Sequence, residues 1–185
     1  MSKLDQNKTP LFTVLKDEYV RRNILPFHVP GHKRGKGVDE EFYNFMGEAP
    51  FSIDVTIFKM VDGLHHPKSC IKESQELVAD AYGVKHSFFA VNGTSGAIQA
   101  MIMSVVKAGE KILNVHKSVS AGIILSGSEP VYMNPEIDEN LGIALGVKPQ
   151  TVENMLKQDP DIAAVLIINP TYYGVATDIK KIADI

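Results

Sequence analysis

The sequence has 185 residues, of which 44% are hydrophobic, and Cys70 is its single cysteine. A chain of this size buries one ordinary core. The formal net charge of -3, without a basic run interleaved with aromatics, excludes a nucleic-acid platform. No apolar run approaches the roughly 18 residues that span a bilayer, and the polar N-terminus is unlike a signal peptide. One cysteine cannot form an internal disulfide, so we expect a cytoplasmic protein.

The first patterned segment runs from Pro10 to about Asn23. Proline is favoured at the first position of a helix, and apolar residues recur here at helical spacing. They are Leu11, Leu15, Tyr19 and Val20. We predict a helix that packs this stripe against other elements.

Residues 26–37 are typical of an extended stretch followed by a glycine-rich, basic loop. His28 and His32 are four residues apart, but the Pro-Gly pair between them prevents the helix that would make them a metal site, so no metal is predicted. The basic residues can meet an anionic ligand, a partner subunit or only solvent. They are His32, Lys33, Arg34 and Lys36.

Between residues 40 and 83, two helices are predicted around an extended stretch. Residues 40–45 form the first helix and residues 51–58 the extended stretch. Turn residues then lead to a helix from about Lys68 to Tyr82, which ends at Gly83. Cys70 falls in the first turn of this amphipathic helix, which makes it a poor candidate for a nucleophile.

From residue 86 onward, strands and helices alternate. The predicted strands are 86–91, 111–115, 130–133 and 162–168, and the predicted helices are 95–106, 118–125, 148–157 and one that begins at 177–178. This order predicts an α/β fold, a mostly parallel sheet with helices on both faces. Ligands of such sheets bind at the carboxyl ends of the strands. Three polar segments follow strands here, namely residues 92–95, 114–118 and 169–174.

The first of these segments has the features of an anion site. A strand that breaks at glycines and reopens as a helix leaves the first helical N–H groups unpaired, and such groups bind anions. Gly93 allows close approach of a phosphate, and the hydroxyls of Thr94 and Ser95 can donate to it. A capped turn without a ligand is equally compatible with these residues. The segment matches neither the P-loop nor the dinucleotide fingerprint.

Short stretches along almost the whole chain resemble one family. They are Pro26-Phe-His-Val-Pro-Gly-His-Lys, Asp54-Val-Thr, Leu64-His-His-Pro, Asn92-Gly-Thr-Ser-Gly, His116-Lys-Ser, Leu125-Ser-Gly, Pro130-Val-Tyr and Pro170-Thr-Tyr-Tyr-Gly. In this order they resemble the amino-terminal part of the ornithine/lysine/arginine decarboxylases, pyridoxal-phosphate enzymes of the aspartate-aminotransferase fold. The sequence departs from that pattern at Ile57, where glutamate is usual, and at Val115, where arginine or another polar residue is common.

The resemblance implies a cofactor, a reaction and site residues. Gly93, Thr94 and Ser95 would hold the phosphate of pyridoxal 5'-phosphate, and His116 would stack on its pyridine ring. The reaction would be decarboxylation of arginine, lysine or ornithine, in a homodimer or higher oligomer. Lys117 belongs to the His-Lys-Ser match and is not the family's Schiff-base lysine.

That lysine, and the aspartate that pairs with the pyridine nitrogen, have no counterpart in this sequence, so no catalytic residue is predicted within it. We expect residues 1–50 to form an N-terminal helix and extended arm, and residues 51–185 to form the front part of a truncated, catalytically incomplete cofactor-binding domain. Two alternatives stay open. Aminotransferases and carbon–sulfur lyases share such a phosphate cradle, and a non-catalytic fragment could serve as a dimerisation or binding module.

Overall fold

The computed structural model describes residues 4–22, 24–57, 59–114 and 119–185. Contacts divide the chain into two units, Met1–Phe89 and Ala90–Ile185, and each is described by itself. Within the described ranges, no helix combines the length and apolar character that crossing a membrane requires.

The first unit consists of short helices. They are α1 (Pro10–Thr13), which continues as a π-helical segment (Val14–Tyr19), α2 (Glu40–Met46), α3 (Glu48–Ile53) and α4 (Cys70–Tyr82). Pro10 stands at the start of the first helix, as predicted. Tyr19 is only 1% exposed and is the buried member of the predicted stripe. Gly83 ends α4 in the left-handed conformation, also as predicted.

The extended stretch predicted at residues 51–58 is wrong at residues 51–53, because Glu48–Ile53 form α3. Phe and Ile favour strands in general, but here Phe51 is buried by rings from neighbouring segments. It stacks on Tyr43 at 5.5 Å and meets the ring of His32 edge-on at 5.6 Å. Tertiary packing therefore overrides local preference, and Phe58 lies outside the described residues.

The second unit is built on a parallel sheet. Its strands are β1 (Lys111–Asn114), β2 (Glu129–Tyr132) and β5 (Ile162–Val165), in the order β2-β1-β5, and β3 (Glu136–Asp138) and β4 (Ile143–Gly146) form a separate antiparallel pair. Its helices are α5 (Gly93–Val105), α6 (Ser120–Ser126), α7 (Pro149–Gln158) and α8 (Ile179–Ala183). The predicted α/β arrangement is confirmed.

The sheet carries hydrophobic clusters on both faces, because successive strand residues point to opposite sides. On β1, Ile112 packs with Ile102 of α5 and Ile123 of α6. The next residue, Leu113, packs with Val152 of α7 in a separate cluster. Helices thus cover both faces, as predicted. β2 lies on one side of β1 and β5 on the other, so the connections between these strands run in opposite directions across the sheet. Because crossovers between parallel strands are right-handed, connections in opposite directions place their helices on opposite faces.

Two details of the second half differ from expectation. Residues 86–91 form no strand ladder with any described residue. An apolar run shows only that a segment suits a sheet, whereas a strand also needs a partner for its backbone groups. The β3–β4 pair was not predicted, because Glu136–Asp138 contains a single apolar residue and so shows no strand pattern. The turn between them relies on Gly142, at a φ of +65°.

Candidate functional site

Helix α5 begins at the carboxyl edge of the sheet. Its last residue, Val105, is joined by a tight turn to the first residue of β1, with Glu110 donating its N–H to the carbonyl of Lys107 at 3.1 Å. Ile98 of α5 and Leu166, just beyond the end of β5, pack against the same hydrophobic cluster. The helix therefore runs back along the sheet. Thirteen residues span about 20 Å, which exceeds the length of a four-residue strand, about 13 Å.

The first turn of α5 is open. The side chain of Asn92, at the N-cap, makes no capping hydrogen bond. The hydroxyls of Thr94 and Ser95 are exposed and bond to no described residue. Gly93 has a φ of +74°, and a Cβ atom there would meet no atom within 4 Å. The turn thus presents unpaired N–H groups, two free hydroxyls and open space, a combination that suits a phosphate group.

The end of β1 supplies a buried amide beside the same edge. Asn114 is fully buried, and its Oδ1 atom has no hydrogen-bond partner among the described residues. Burial of an unpaired polar atom is costly, so the oxygen is expected to meet a donor when the site is filled. The sequence signal for this site residue was an asparagine at the end of an apolar strand. His116, the residue expected to stack on the cofactor ring, lies outside the described residues.

The segment after β5 folds on itself at this edge. The N–H of Thr171 donates to the carbonyl of Val175 at 2.9 Å, and the N–H of Thr177 donates to Oδ1 of Asn169 at 2.8 Å. Tyr172 and Tyr173 meet edge-to-face at 5.5 Å. These bonds hold the tyrosines in the segment that follows β5, where the sequence predicted them.

Beside this segment lies a cavity of about 400 Å³. Its walls come from the end of β5, the Thr-Tyr-Tyr segment and the β3–β4 pair, and they are mostly apolar. Gly146 of β4 makes room for its neighbour, since a Cβ atom there would lie 2.8 Å from Oγ1 of Thr177. The cavity is large enough for the aliphatic part of a small molecule.

In the first unit, the two histidines of the basic loop bind different partners. His28 Nε2 lies 2.8 Å from the hydroxyl of Tyr19. His32 accepts the N–H of Gly35 at Nδ1, at 2.9 Å, and its Nε2 lies 3.3 Å from Oδ2 of Asp54. The proton of a neutral His32 therefore resides on Nε2 and points at the carboxylate. Among the described residues, no group of three or more metal-ligating side chains forms a metal site.

Cys70 is placed as a structural residue. Its side chain is buried, and its thiol donates to the carbonyl of Val61 at 3.0 Å. Burial raises the pKa of the thiol above its ordinary value. A thiol of this kind is a weak nucleophile, as the sequence suggested.

Comparison with known proteins identifies the family. The family described as Orn/Lys/Arg decarboxylase, major domain, matches residues 9–185. The chain belongs to this family. The match confirms the prediction of this family from sequence motifs such as the Pro-Gly-His-Lys and Asn-Gly-Thr-Ser-Gly stretches.

Curated relatives agree. The chain is 49% identical over 188 residues to a protein named arginine decarboxylase from Bacillus anthracis, and 46% identical over 185 residues to one of the same name from Bacillus subtilis. It is 30% identical over 180 residues to lysine decarboxylase LdcA of Pseudomonas aeruginosa. These alignments cover 100%, 98% and 92% of this chain, and 38%, 38% and 23% of the three relatives. The chain thus spans about two fifths of the length of the arginine decarboxylases.

Solved structures carry the same fold. The constitutive lysine decarboxylase of Escherichia coli superposes with a TM-score of 0.70 at 25% identity, over 89% of this chain and 25% of that one. Lysine decarboxylase A from Pseudomonas aeruginosa gives 0.67 at 25% identity, over 88% and 24%. The expected family fold is supported at the level of the parallel sheet and its helices.

Proposed function

We propose that this chain is the phosphate-binding part of a pyridoxal-phosphate-dependent decarboxylase that acts on arginine. The family match over residues 9–185 carries the reaction class. The preference for arginine rests on relatives at 46% to 49% identity that are named arginine decarboxylase, against 30% for one named lysine decarboxylase. In the whole enzyme we expect a homodimer or a higher oligomer.

The open first turn of α5 would hold the cofactor phosphate. The backbone N–H groups at its start would donate to the phosphate oxygens, together with the hydroxyls of Thr94 and Ser95. The helix dipole favours the same negative charge. Gly93 leaves the space that close approach requires. His116 remains the predicted partner of the pyridine ring.

The bound cofactor would supply the electron sink that accepts the bonding electrons released with carbon dioxide. The residues of this chain would bind and orient it. No residue here matches the lysine that carries the cofactor in this family, or the aspartate that holds the ring nitrogen protonated. We therefore expect these 185 residues to bind phosphate without releasing carbon dioxide from arginine.

Titration with pyridoxine 5'-phosphate tests the cradle. This analogue lacks the aldehyde, so reaction with surface lysines cannot imitate binding. We expect saturable binding, followed by the phosphorus NMR signal, and much weaker binding of pyridoxine, which has no phosphate. The Thr94→Ala/Ser95→Ala double variant should bind the analogue at least tenfold more weakly, because two charge-assisted hydrogen bonds are lost.

Ser104→Ala is the matched control. Ser104 lies near the other end of α5 and bonds to the carbonyl of Met101, so its removal should leave the affinity unchanged. Equal affinity of the double variant and the unmodified chain would contradict the phosphate cradle.

A further inference from the structure

A second cluster of positive charge lies in the first unit, within residues 24–48, and the cofactor site described above does not use it. A groove of about 410 Å³ is lined by Lys33, Arg34 and Lys36, with a single carboxylate, that of Glu48. None of these cations forms an ion pair with a described residue. The groove therefore carries uncompensated positive charge.

Arg34 is fixed in place by its surroundings. Its guanidinium carbon lies 5.2 Å from the centre of the buried ring of Tyr19. Its Nε and Nη2 atoms are shielded from solvent and have no hydrogen-bond partner among the described residues. Nη1 is the one guanidinium nitrogen that is not shielded in this way. A half-buried cation with unpaired donors favours binding of a counter-charge.

The backbone is arranged to present these side chains. Lys33 and Arg34 have φ values of +51° and +59°, a left-handed conformation that is rare in residues with a side chain. Gly35 follows with a φ of +89°, and a Cβ atom there would lie 2.4 Å from the ring of Tyr43. The ring of Tyr43 thus packs directly on the loop and forms one wall of the groove.

Apolar and aromatic side chains also line the groove. Pro26 and Phe27 are among them, and Nζ of Lys33 lies 5.6 Å from the centre of the Phe27 ring. The groove therefore combines cations with flat apolar surfaces. That pairing suits a ligand with an anionic group at one end and an apolar body at the other.

We propose that this groove binds a small organic oxyanion, a carboxylate or phosphate on an apolar body, with Arg34 as the fixed cation between Phe27 and Tyr43. The lysines flank the anion at the mouth of the groove. The body lies against the aromatic walls, and the charge of the anion compensates that of Arg34. The groove is lined by residues other than those of the first turn of α5, and the proposal does not depend on the function proposed for that turn.

Calorimetric titration of the purified chain tests this proposal with three probes that share a phenyl body. Phenyl phosphate and benzoate distinguish the two oxyanions, and benzamide is the neutral control. At least one oxyanion should bind saturably and at least tenfold more tightly than benzamide. Inorganic phosphate should bind more weakly than phenyl phosphate, because it makes no contact with the apolar walls.

Arg34→Gln should weaken binding of the preferred oxyanion at least tenfold, and Arg34→Lys should restore part of it. Lys8→Gln, an exposed lysine of the same unit outside the groove, should have no effect. Near-UV circular dichroism checks that each variant is folded. If Arg34→Gln does not fold, the Lys33→Gln/Lys36→Gln variant tests the proposal instead. Its affinity for the preferred oxyanion should be at least threefold lower than that of the unmodified chain.

The Thr94→Ala/Ser95→Ala variant separates this groove from the first turn of α5. Phenyl phosphate binding that is lost in Arg34→Gln should be retained in this variant, even where the first turn of α5 binds a phosphate of its own. Binding that is lost in this variant but kept in Arg34→Gln would overturn the proposal and assign the anion to α5. Equal affinity for benzamide and both oxyanions would also overturn it.

Discussion

A Cβ atom on Gly122 of α6 would lie only 2.6 Å from Cδ1 of Ile102 on α5. The two helices thus approach each other so closely that this position of α6 has no room for a side chain. Ile102 is itself buried in the cluster on that face of the sheet. A Cβ atom added to Gly122 would also lie 3.4 Å from Cβ of Ile102. The close approach sets how α5 packs beside the sheet.

Gly122→Ala should therefore destabilise the second unit. Alanine improves the helix propensity of α6 by up to about 1 kcal/mol, but forcing Ile102 out of its rotamer costs about 1–3 kcal/mol. We expect a net loss of up to about 2 kcal/mol when the full helix-propensity gain is set against this cost, measured as a lower urea midpoint by circular dichroism. Gly96→Ala on α5 is the control. Its new Cβ atom would meet Asn92 at an ordinary 3.4 Å, so this variant should be neutral or slightly more stable.

Leu113 of β1 tests the opposite face of the sheet. It has no exposed surface and packs against Val152 and Met133. Leu113→Ala should leave a cavity and cost about 2–5 kcal/mol. Leu141→Ala removes the same atoms from a side chain that is 70% exposed, and should change stability by less than about 0.5 kcal/mol. Similar urea midpoints for the two variants would contradict the assignment of Leu113 to the core.

The strands and helices of the sheet could be predicted because their patterns are local. The apolar run that contains Leu113 and the helical spacing along α5 are each visible within one segment. Pairing partners are not local, which is why residues 86–91 were predicted as a strand and form no ladder with described residues. The same limit applies to α3, whose conformation depends on rings from α2 and the basic loop.

The two proposed binding sites differ in the same way. The first turn of α5 could be proposed as an anion site from the sequence, because glycines and hydroxyls at a helix start act through adjacent backbone groups. For the basic loop, the sequence showed only that positively charged residues are concentrated there. Its groove depends on the left-handed conformations of Lys33 and Arg34 and on the distant ring of Tyr19, and neither has a signal in the sequence.

Lys111 and Asp159 join the start of β1 to the end of α7, with Nζ 2.7 Å from Oδ2. The hydrogen bond from Lys111 lowers the pKa of the Asp159 carboxyl below its ordinary value. Lys111→Met should therefore raise this pKa, measured by carbon NMR of the Asp159 carboxyl during an acid titration. Lys107→Met removes a nearby exposed lysine that pairs with Glu110 instead, and should leave the pKa of Asp159 unchanged. An Asp159 pKa that does not move in Lys111→Met would show that the pair does not form.

Asp62 organises the start of α4. Its carboxylate accepts the N–H groups of Lys68, Ser69 and Ile71, at 2.7 to 3.3 Å, and that of Gly63 at 2.9 Å. Burial alone would raise the pKa of Asp62, but hydrogen bonds from these backbone groups, that of Ser69 foremost, lower it to about 2. The negative charge also lies at the positive end of the helix dipole.

Asp62→Asn should destabilise the chain by about 1–2 kcal/mol at neutral pH, because the amide carries no charge and its nitrogen cannot accept the bonds that the second carboxylate oxygen accepts. A carboxyl whose pKa is lowered on folding contributes stability above its ordinary pKa, near 3.8, and loses it as the pH falls towards 2. The difference between the unmodified chain and the variant should therefore shrink across that interval. Urea unfolding at a series of pH values measures it, with Asp5→Asn as an exposed control. A difference that stays constant down to pH 2 would show that the charge of Asp62 is not what stabilises α4.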